Sequence, residues 1–108
     1  MLPVYAGELD RALSKGKPVL LYMYTDECGG CAKFSPVYEQ LAKDRTDFTY
    51  LKINASTWYG YNLMRQFRVS YVPFVAMFKP NSKDGAQISN GCLYNMACMN
   101  KVLTDFKK

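Results

Sequence analysis

Two cysteines separated by two glycines, Cys28-Gly29-Gly30-Cys31, are the residues whose types and spacing are best suited to chemistry in this chain. They follow a short apolar run and precede a segment in which apolar residues recur at helical spacing. A CxxC pair at a strand-to-helix junction of a short α/β chain is typical of a dithiol that closes as a disulfide. The partial positive charge of a helix N-terminus favours the thiolate, which is the attacking form. The spacing therefore predicts a redox pair, with Cys28 at the exposed helix start and Cys31 one turn further in.

Length and composition limit the chain to one domain. Its 108 residues allow one modest hydrophobic core, so we expect a single domain over residues 1–108. Hydrophobic residues make up 49% and charged residues 21%, with no low-complexity tract. No apolar run approaches the length of a membrane span, and no N-terminal signal segment is evident. We therefore expect a cytoplasmic protein without a membrane span, with an exported form that has lost its signal as the alternative.

The net charge and the absence of histidine argue against several classes of function. The net charge is +5, but the basic residues are scattered and form no cluster interleaved with aromatic residues. This pattern favours a solvated surface, so we do not expect nucleic acid as a partner. The chain has no histidine, which excludes Cys-His catalytic pairs and His-containing metal sites. No cofactor and no metal are expected.

The periodicity of apolar residues predicts a mixed α/β order of elements. Helices are predicted over residues 8–15, 32–43, 59–67 and 95–106, and strands over residues 19–24, 48–53, 74–78 and 86–89. The strand at 19–24 is apolar throughout, as expected for a strand buried on both faces. The order implies a central mixed β-sheet of four to five strands with helices on both faces.

With this order of elements, the CxxC pair and Val72-Pro73 at a strand start give the chain a resemblance to the thioredoxin superfamily. The likeness extends from about residue 9 to residue 106. Further matching pieces are residues 17–21, Pro36, residues 52–54, residues 67–73, residues 78–79 and Gly91. A CxxC alone is shared with zinc sites, but its combination with a later Val-Pro is a specific signal.

The resemblance implies roles for individual residues. Cys28 resembles the nucleophilic thiol of the family, and Cys31 resembles the buried resolving thiol. Pro73 resembles the cis-proline beside the disulfide, and the residue before it, Val72, would pair with the substrate backbone. Tyr71 would border the substrate groove, which also includes Gly29 and Gly30. The family resemblance implies protein disulfides as substrates and an upstream thiol reductant, and we expect a monomer.

The chain also departs from the thioredoxins proper. Glu27 replaces a tryptophan, and Gly29-Gly30 replaces Gly-Pro. Tyr22 occupies the position of a buried acid, and Lys52 that of the lysine often paired with it. Glu27 should raise the pKa of the Cys28 thiol, whereas the helix start should lower it, so the net direction is open. Glu27 and Lys52 are candidates for modulating the thiol pKa.

Three functions are compatible with these residues. The favoured function is a thiol–disulfide oxidoreductase that reduces or exchanges protein disulfides through Cys28 and Cys31. The first alternative is a non-catalytic, thioredoxin-like protein-binding module. The second is a glutaredoxin-like protein that uses glutathione or holds an iron–sulfur cluster through Cys28, which the Gly-Gly spacer disfavours.

Two further cysteines, Cys92 and Cys98, allow several interpretations. On one continuous helix, residues six positions apart could not form a disulfide, which favours two unconnected thiols. If Cys92 lies instead in the loop after Gly91, a disulfide becomes possible and would indicate an oxidising compartment. A zinc site is disfavoured by the spacing, and a second redox pair stays open.

Overall fold

The structure, a computed structural model, describes residues 7–108. The elements in chain order are α1 (Gly7–Leu13), β1 (Val19–Tyr24), α2 (Gly29–Asp44), β2 (Thr49–Asn54), α3 (Trp58–Gln66), β3 (Phe74–Phe78), β4 (Ala86–Gln87) and α4 (Met96–Phe106). Every predicted helix and strand is present. The first helix ends two residues earlier than predicted, and β4 is shorter than the predicted strand at 86–89. Within this part of the chain no helix is long and apolar enough to cross a membrane.

The described strands form one mixed sheet in the order β2-β1-β3-β4. Strand β1 pairs in parallel with β2 and antiparallel with β3, and β3 pairs antiparallel with β4. The described residues thus contain four strands, the lower number of the predicted range. Because β3 runs against β1, the start of β3 lies beside the end of β1, where Met23 pairs with Phe74. This polarity brings the segment before β3 to the CxxC end of β1.

Hydrophobic clusters cover both faces of the sheet, as predicted. Along β1, Leu20 and Tyr22 face a cluster formed mainly with α2 and α4. The alternate residues Val19, Leu21 and Met23 face a second cluster that includes residues of α1 and α3. All five side chains are fully buried. Since successive strand residues point to opposite faces, this burial explains why the strand is apolar without alternation.

The starts of β1 and β2 lie at the opposite end of the sheet from the CxxC pair, where Arg45 and Asp47 connect to α4. The guanidinium of Arg45 donates to Asp47 at 2.8 Å and to the Asn100 carbonyl oxygen at 2.9 Å. The ammonium of Lys107 also contacts Asp47, at 2.9 Å. Hydrogen bonds from Arg45 and, to a lesser extent, Lys107 hold the pKa of the Asp47 carboxyl well below its usual range, although partial burial opposes them.

This ion network should make stability depend on pH. A carboxyl whose pKa is lowered on folding contributes fully above its unfolded-state pKa of about 3.9 and loses that contribution as pH falls. We expect Asp47→Asn to lower the free energy of unfolding by about 1 kcal/mol at pH 7, and by progressively less below pH 4. Urea unfolding at a series of pH values measures this difference. Asp84→Asn, an exposed change outside the ion pairs found in residues 7–108, is the control. If the difference in free energy of unfolding between wild type and Asp47→Asn is the same at pH 7 and at pH 3, the prediction is wrong.

Candidate active site

Cys28 caps the N-terminus of α2. Its backbone is extended, with φ −96° and ψ 112°, and its Sγ accepts a hydrogen bond of 3.0 Å from the Cys31 N–H. Its carbonyl oxygen accepts another, from the Ala32 N–H at 3.1 Å. The helix therefore begins at Gly29, three residues before the predicted start, because cysteine supplies the capping acceptor. A sulfur in this position receives the partial positive charge of the helix N-terminus.

The two cysteines of the motif differ in accessibility. Cys28 is partly exposed, whereas Cys31 is 3% exposed and belongs to the core cluster on the α2 face. Their Cα atoms are 5.2 Å apart, and the two residues form a disulfide. Gly29 is exposed and Gly30 is partly exposed. A reactant can therefore contact the sulfur of Cys28. The buried sulfur of Cys31 can take part only after the reactant has bonded to Cys28.

Pro73 lies directly against the CxxC segment. The Val72–Pro73 peptide bond is cis, and Pro73 is buried. A methyl group added at Gly30 would lie 3.2 Å from Pro73 Cδ, so the ring packs beside the second glycine of the motif. Val72 is partly buried, and Tyr71 is exposed, with its hydroxyl accepting a hydrogen bond from the Gln87 side-chain amide. The structure therefore brings Tyr71, Val72 and Pro73 to the same end of the sheet as the cysteines.

Tyr22 is the residue that the family resemblance places at the position of a buried acid. Its hydroxyl donates to the Cys31 carbonyl oxygen at 2.9 Å and lies 3.0 Å from Ser35 Oγ. Ser35 also donates to the Cys31 carbonyl oxygen, at 2.9 Å. Burial raises the pKa of the Tyr22 hydroxyl, so it stays neutral at physiological pH. Tyr22 therefore holds the Cys31 backbone but is not a ready acceptor for the Cys31 proton.

Lys52 contacts aromatic rings rather than an acid. It pairs with Tyr22 across β1 and β2, and its ammonium lies 4.8 Å from the ring centre of Tyr24 and 5.9 Å from that of Tyr22. Both distances fall within the range of cation–π contacts. Glu27 is exposed, so solvent screens its charge from the neighbouring Cys28. Lys52, which the resemblance assigns to the lysine of an acid–lysine pair, thus contacts the rings of Tyr22 and Tyr24.

Cys92 and Cys98 are joined in a second disulfide, with Cα atoms 5.5 Å apart. The bond is possible because α4 begins only at Met96, which leaves Cys92 in the loop before the helix. The favoured interpretation of two unconnected thiols is therefore wrong, and the loop alternative is the one found. Cys98 lies in the first turn of α4, where its N–H donates to the capping Asn95 at 3.0 Å.

Two residues near the CxxC pair were missed by the sequence analysis. Ser35 follows Cys31 by one helical turn, a spacing that could have indicated its contact with the Cys31 carbonyl. Tyr94 donates to the Gly30 carbonyl oxygen at 3.2 Å from a loop far along the chain. The sequence feature that could have indicated Tyr94 is its position, as an aromatic residue, between Cys92 and Cys98. Residues 7–108 contain no cluster of three or more His, Cys, Asp or Glu side chains that could hold a metal ion.

A mixed sheet, a CxxC pair that caps a helix and a proline packed beside it define a redox-active protein of the thioredoxin fold. The sequence pattern of the Thioredoxin family matches residues 1–102. The chain is 29% identical over 73 residues to a thioredoxin of Mycoplasmoides gallisepticum, covering 68% of this chain and 71% of that protein. It is 37% identical over 68 residues to a thioredoxin of Mycobacterium bovis, covering 62% of this chain and 57% of that protein.

Solved structures of thioredoxins have the same fold as this chain. Thioredoxin O2 from Arabidopsis thaliana in its oxidised state superposes with a TM-score of 0.69 at 26% identity, over 96% of this chain and 90% of that one. A mutant thioredoxin from Halobacterium salinarum superposes with a TM-score of 0.78 at 24% identity, over 94% and 84%. The chain belongs to the thioredoxin family. It is a thiol–disulfide oxidoreductase with a close Cys28–Cys31 pair, and the binding-module and glutaredoxin-like alternatives are not favoured.

Proposed function

We propose that this protein reduces protein disulfides, with Cys28 as the nucleophile and Cys31 as the resolving thiol. The observation that carries the proposal is the asymmetry of the pair. Cys28 is partly exposed at the N-terminus of α2 and accepts a hydrogen bond from the Cys31 N–H, whereas Cys31 is buried. The thiolate is the attacking form and the accessible sulfur meets the substrate first, so this geometry favours Cys28 as the attacking group.

The reaction proceeds in two exchanges. The Cys28 thiolate attacks one sulfur of the substrate disulfide, so that a Cys28–substrate bond forms and the other substrate sulfur leaves as a thiolate. Cys31 then loses its proton and attacks Cys28 Sγ, which releases the second substrate thiolate and closes the Cys28–Cys31 disulfide. Two electrons pass from the dithiol to the substrate. The departing thiolates take protons from water.

Among the residues that the structure describes, the two side chains considered for the Cys31 proton, Tyr22 and Lys52, are poor acceptors. Tyr22 is neutral and donates to the Cys31 carbonyl, and Lys52 contacts the rings of Tyr22 and Tyr24. We propose that water takes this proton once the substrate has opened the disulfide. Deprotonation of Cys31 would then depend on hydroxide and pH more strongly than in a relative with a buried acid.

We propose that the substrate groove lies between the CxxC segment and the Tyr71–Pro73 segment. The buried Pro73 ring beside Gly30 forms its floor, and the exposed ring of Tyr71 forms one border. Val72 would pair with the backbone of the substrate, as the family resemblance implies. The protein would act as a monomer, would not need nucleic acid, and would be returned to the dithiol by an upstream thiol reductant.

We propose the cytoplasm as the compartment, since a reductase needs a supply of thiol reductant, with an oxidising, exported location as the alternative. The Cys92–Cys98 disulfide supports the alternative, because structural disulfides persist mainly in oxidising compartments. Alkylation of free thiols in intact source cells, followed by mass spectrometry, distinguishes the two. Fully alkylated Cys92 and Cys98 would indicate the cytoplasm, and a protected pair would indicate export.

The reduction potential of the Cys28–Cys31 pair tests the direction of the reaction. We expect a potential near the thioredoxin value of about −270 mV when the protein is equilibrated with dithiothreitol redox buffers. Alkylation and mass spectrometry of the separate peptides distinguish this pair from Cys92–Cys98. A potential above about −200 mV would instead identify an oxidant or isomerase. A pair that never exchanges with the buffer would contradict the oxidoreductase function itself.

A further inference from the structure

The Cys92–Cys98 disulfide closes a short loop that leads into α4. Cys92 is buried, and its N–H donates to the Ser89 carbonyl oxygen at 2.9 Å. The Asn95 N–H donates to the Cys92 carbonyl oxygen at 3.2 Å, and the Asn95 side chain caps α4. The disulfide and these hydrogen bonds together fix the backbone on both sides of Tyr94.

Tyr94 reaches from this loop to the CxxC segment. Its ring is 47% exposed, and its hydroxyl donates to the Gly30 carbonyl oxygen at 3.2 Å. A methyl group at Gly30 would lie 2.8 Å from Tyr94 Oη and 3.2 Å from Pro73 Cδ. Gly30 therefore lies between a tyrosine hydroxyl and a proline ring, and a side chain at this position would displace the Tyr94 hydroxyl and crowd the ring.

Because residues 29 and 30 are both glycine, the hydrogen bond from Tyr94 to Gly30 bears on how readily the Cys28–Cys31 disulfide closes. Two consecutive glycines give the opened CxxC segment more conformational freedom than Gly-Pro would, and closing the disulfide must remove that freedom. A hydrogen bond that holds Gly30 in the closed arrangement offsets part of this cost. Tyr94 thus supplies, from another part of the chain, a restraint that a proline would supply within the motif.

We propose that Tyr94 is a positioning residue for thiol–disulfide exchange, and that the Cys92–Cys98 disulfide holds it against Gly30. The proposal rests on the oxidoreductase function of the Cys28–Cys31 pair. Tyr94 favours the closed, oxidised form of that pair and so makes its dithiol a stronger reductant. When the Cys92–Cys98 disulfide is formed, as in this structure, it acts on the active site through the Tyr94 loop, with no exchange of electrons between the two pairs.

The test compares the redox equilibrium of Cys28–Cys31 in wild type, Tyr94→Phe and Tyr61→Phe. Tyr94→Phe keeps the ring and removes the hydroxyl, and Tyr61→Phe removes a hydroxyl from an exposed ring on α3 as the matched control. Each protein is equilibrated with dithiothreitol redox buffer, alkylated and digested, so that each cysteine pair is read separately by mass spectrometry.

We expect Tyr94→Phe to shift the equilibrium of Cys28–Cys31 about threefold toward the dithiol, the effect of one lost hydrogen bond. That factor corresponds to a potential about 14 mV less negative. Tyr61→Phe should leave the equilibrium unchanged. A merely structural role of Tyr94 would lower thermal stability without moving the potential. An unchanged potential in Tyr94→Phe would overturn the proposal while leaving the oxidoreductase function intact, whereas a wild-type pair that does not exchange would overturn both.

The part played by the second disulfide is tested by a double-mutant cycle. Changing Cys92 and Cys98 together to alanine should shift the Cys28–Cys31 equilibrium as Tyr94→Phe does. Adding Tyr94→Phe to that variant should then produce no further change. Two independent, additive shifts, or no shift in the alanine variant, would overturn the role of the disulfide. Should the alanine variant not fold, a variant in which Cys92 and Cys98 are both serine provides the same comparison.

Discussion

Changing Cys31 to serine should arrest the protein as mixed disulfides through Cys28. Cys28 stays partly exposed at the helix start and can still attack, but the buried thiol that releases the substrate is gone. An intramolecular thiol acts with a very high effective concentration, so its loss should slow turnover of a peptide with one internal disulfide by at least about hundredfold. Turnover is followed by chromatography of the peptide, and the trapped adduct by its mass.

The control for this prediction is Cys28→Ser. It should lose turnover as fully as Cys31→Ser but should form no adduct in the CxxC segment, because the remaining Cys31 is 3% exposed. Peptide mapping is needed to assign each adduct, since Cys92 and Cys98 are also present. Adducts on Cys31 in the Cys28→Ser protein, at the rate seen for Cys28, would contradict the assignment of nucleophile and resolving thiol.

Changing Gly60 to alanine should destabilise the fold by about 3 kcal/mol. Gly60 lies in the first turn of α3, where its N–H donates to the capping Thr57 at 3.1 Å. A methyl group there would lie 2.8 Å from the carbonyl carbon of Asn54 and 2.9 Å from Ala55 Cα. Both are backbone atoms, so neither can rotate away, and α3 would have to move off the end of β2.

Thermal unfolding of the oxidised protein measures this effect. For a chain of this size, about 3 kcal/mol corresponds to a midpoint lowered by about 15 °C. Gly91→Ala is the matched control, because within residues 7–108 a methyl group at Gly91 meets only Ser89 Oγ, at an ordinary 3.7 Å. If Gly60→Ala and Gly91→Ala unfold at the same temperature, the close approach of α3 to β2 is not a constraint on the fold.

Local patterns were sufficient to predict most of the architecture. Strands β1 and β3 have the predicted bounds, because each is a short apolar run that follows a proline. Helix α2 starts earlier than predicted because the cap is a cysteine side chain, which does not belong to the usual set of capping residues. Existence and type of an element follow from periodicity, whereas its ends depend on individual hydrogen bonds.

The parts of the site that could not be predicted depend on contacts between distant segments. The contact of Tyr94 with Gly30 depends on the path of a loop that no periodicity describes. The Cys92–Cys98 disulfide depended on the first residue of α4, and a helix starting a turn earlier would have separated the sulfurs. Tyr22 was expected in the core, but its hydrogen bond to the Cys31 carbonyl could not be read from its type.

The antiparallel course of β3 separates the active site and the turn after β3, which lie at opposite ends of the sheet. The CxxC segment, Pro73 and Tyr94 all gather where β1 ends and β3 begins, whereas the exposed turn after β3, around residues 81–85, lies at the other end. Exposed turns of this kind tolerate inserted sequence. A reporter domain or an immobilisation tag could therefore be built into that turn and face away from incoming substrates, which would make the protein a convenient scaffold for a redox sensor.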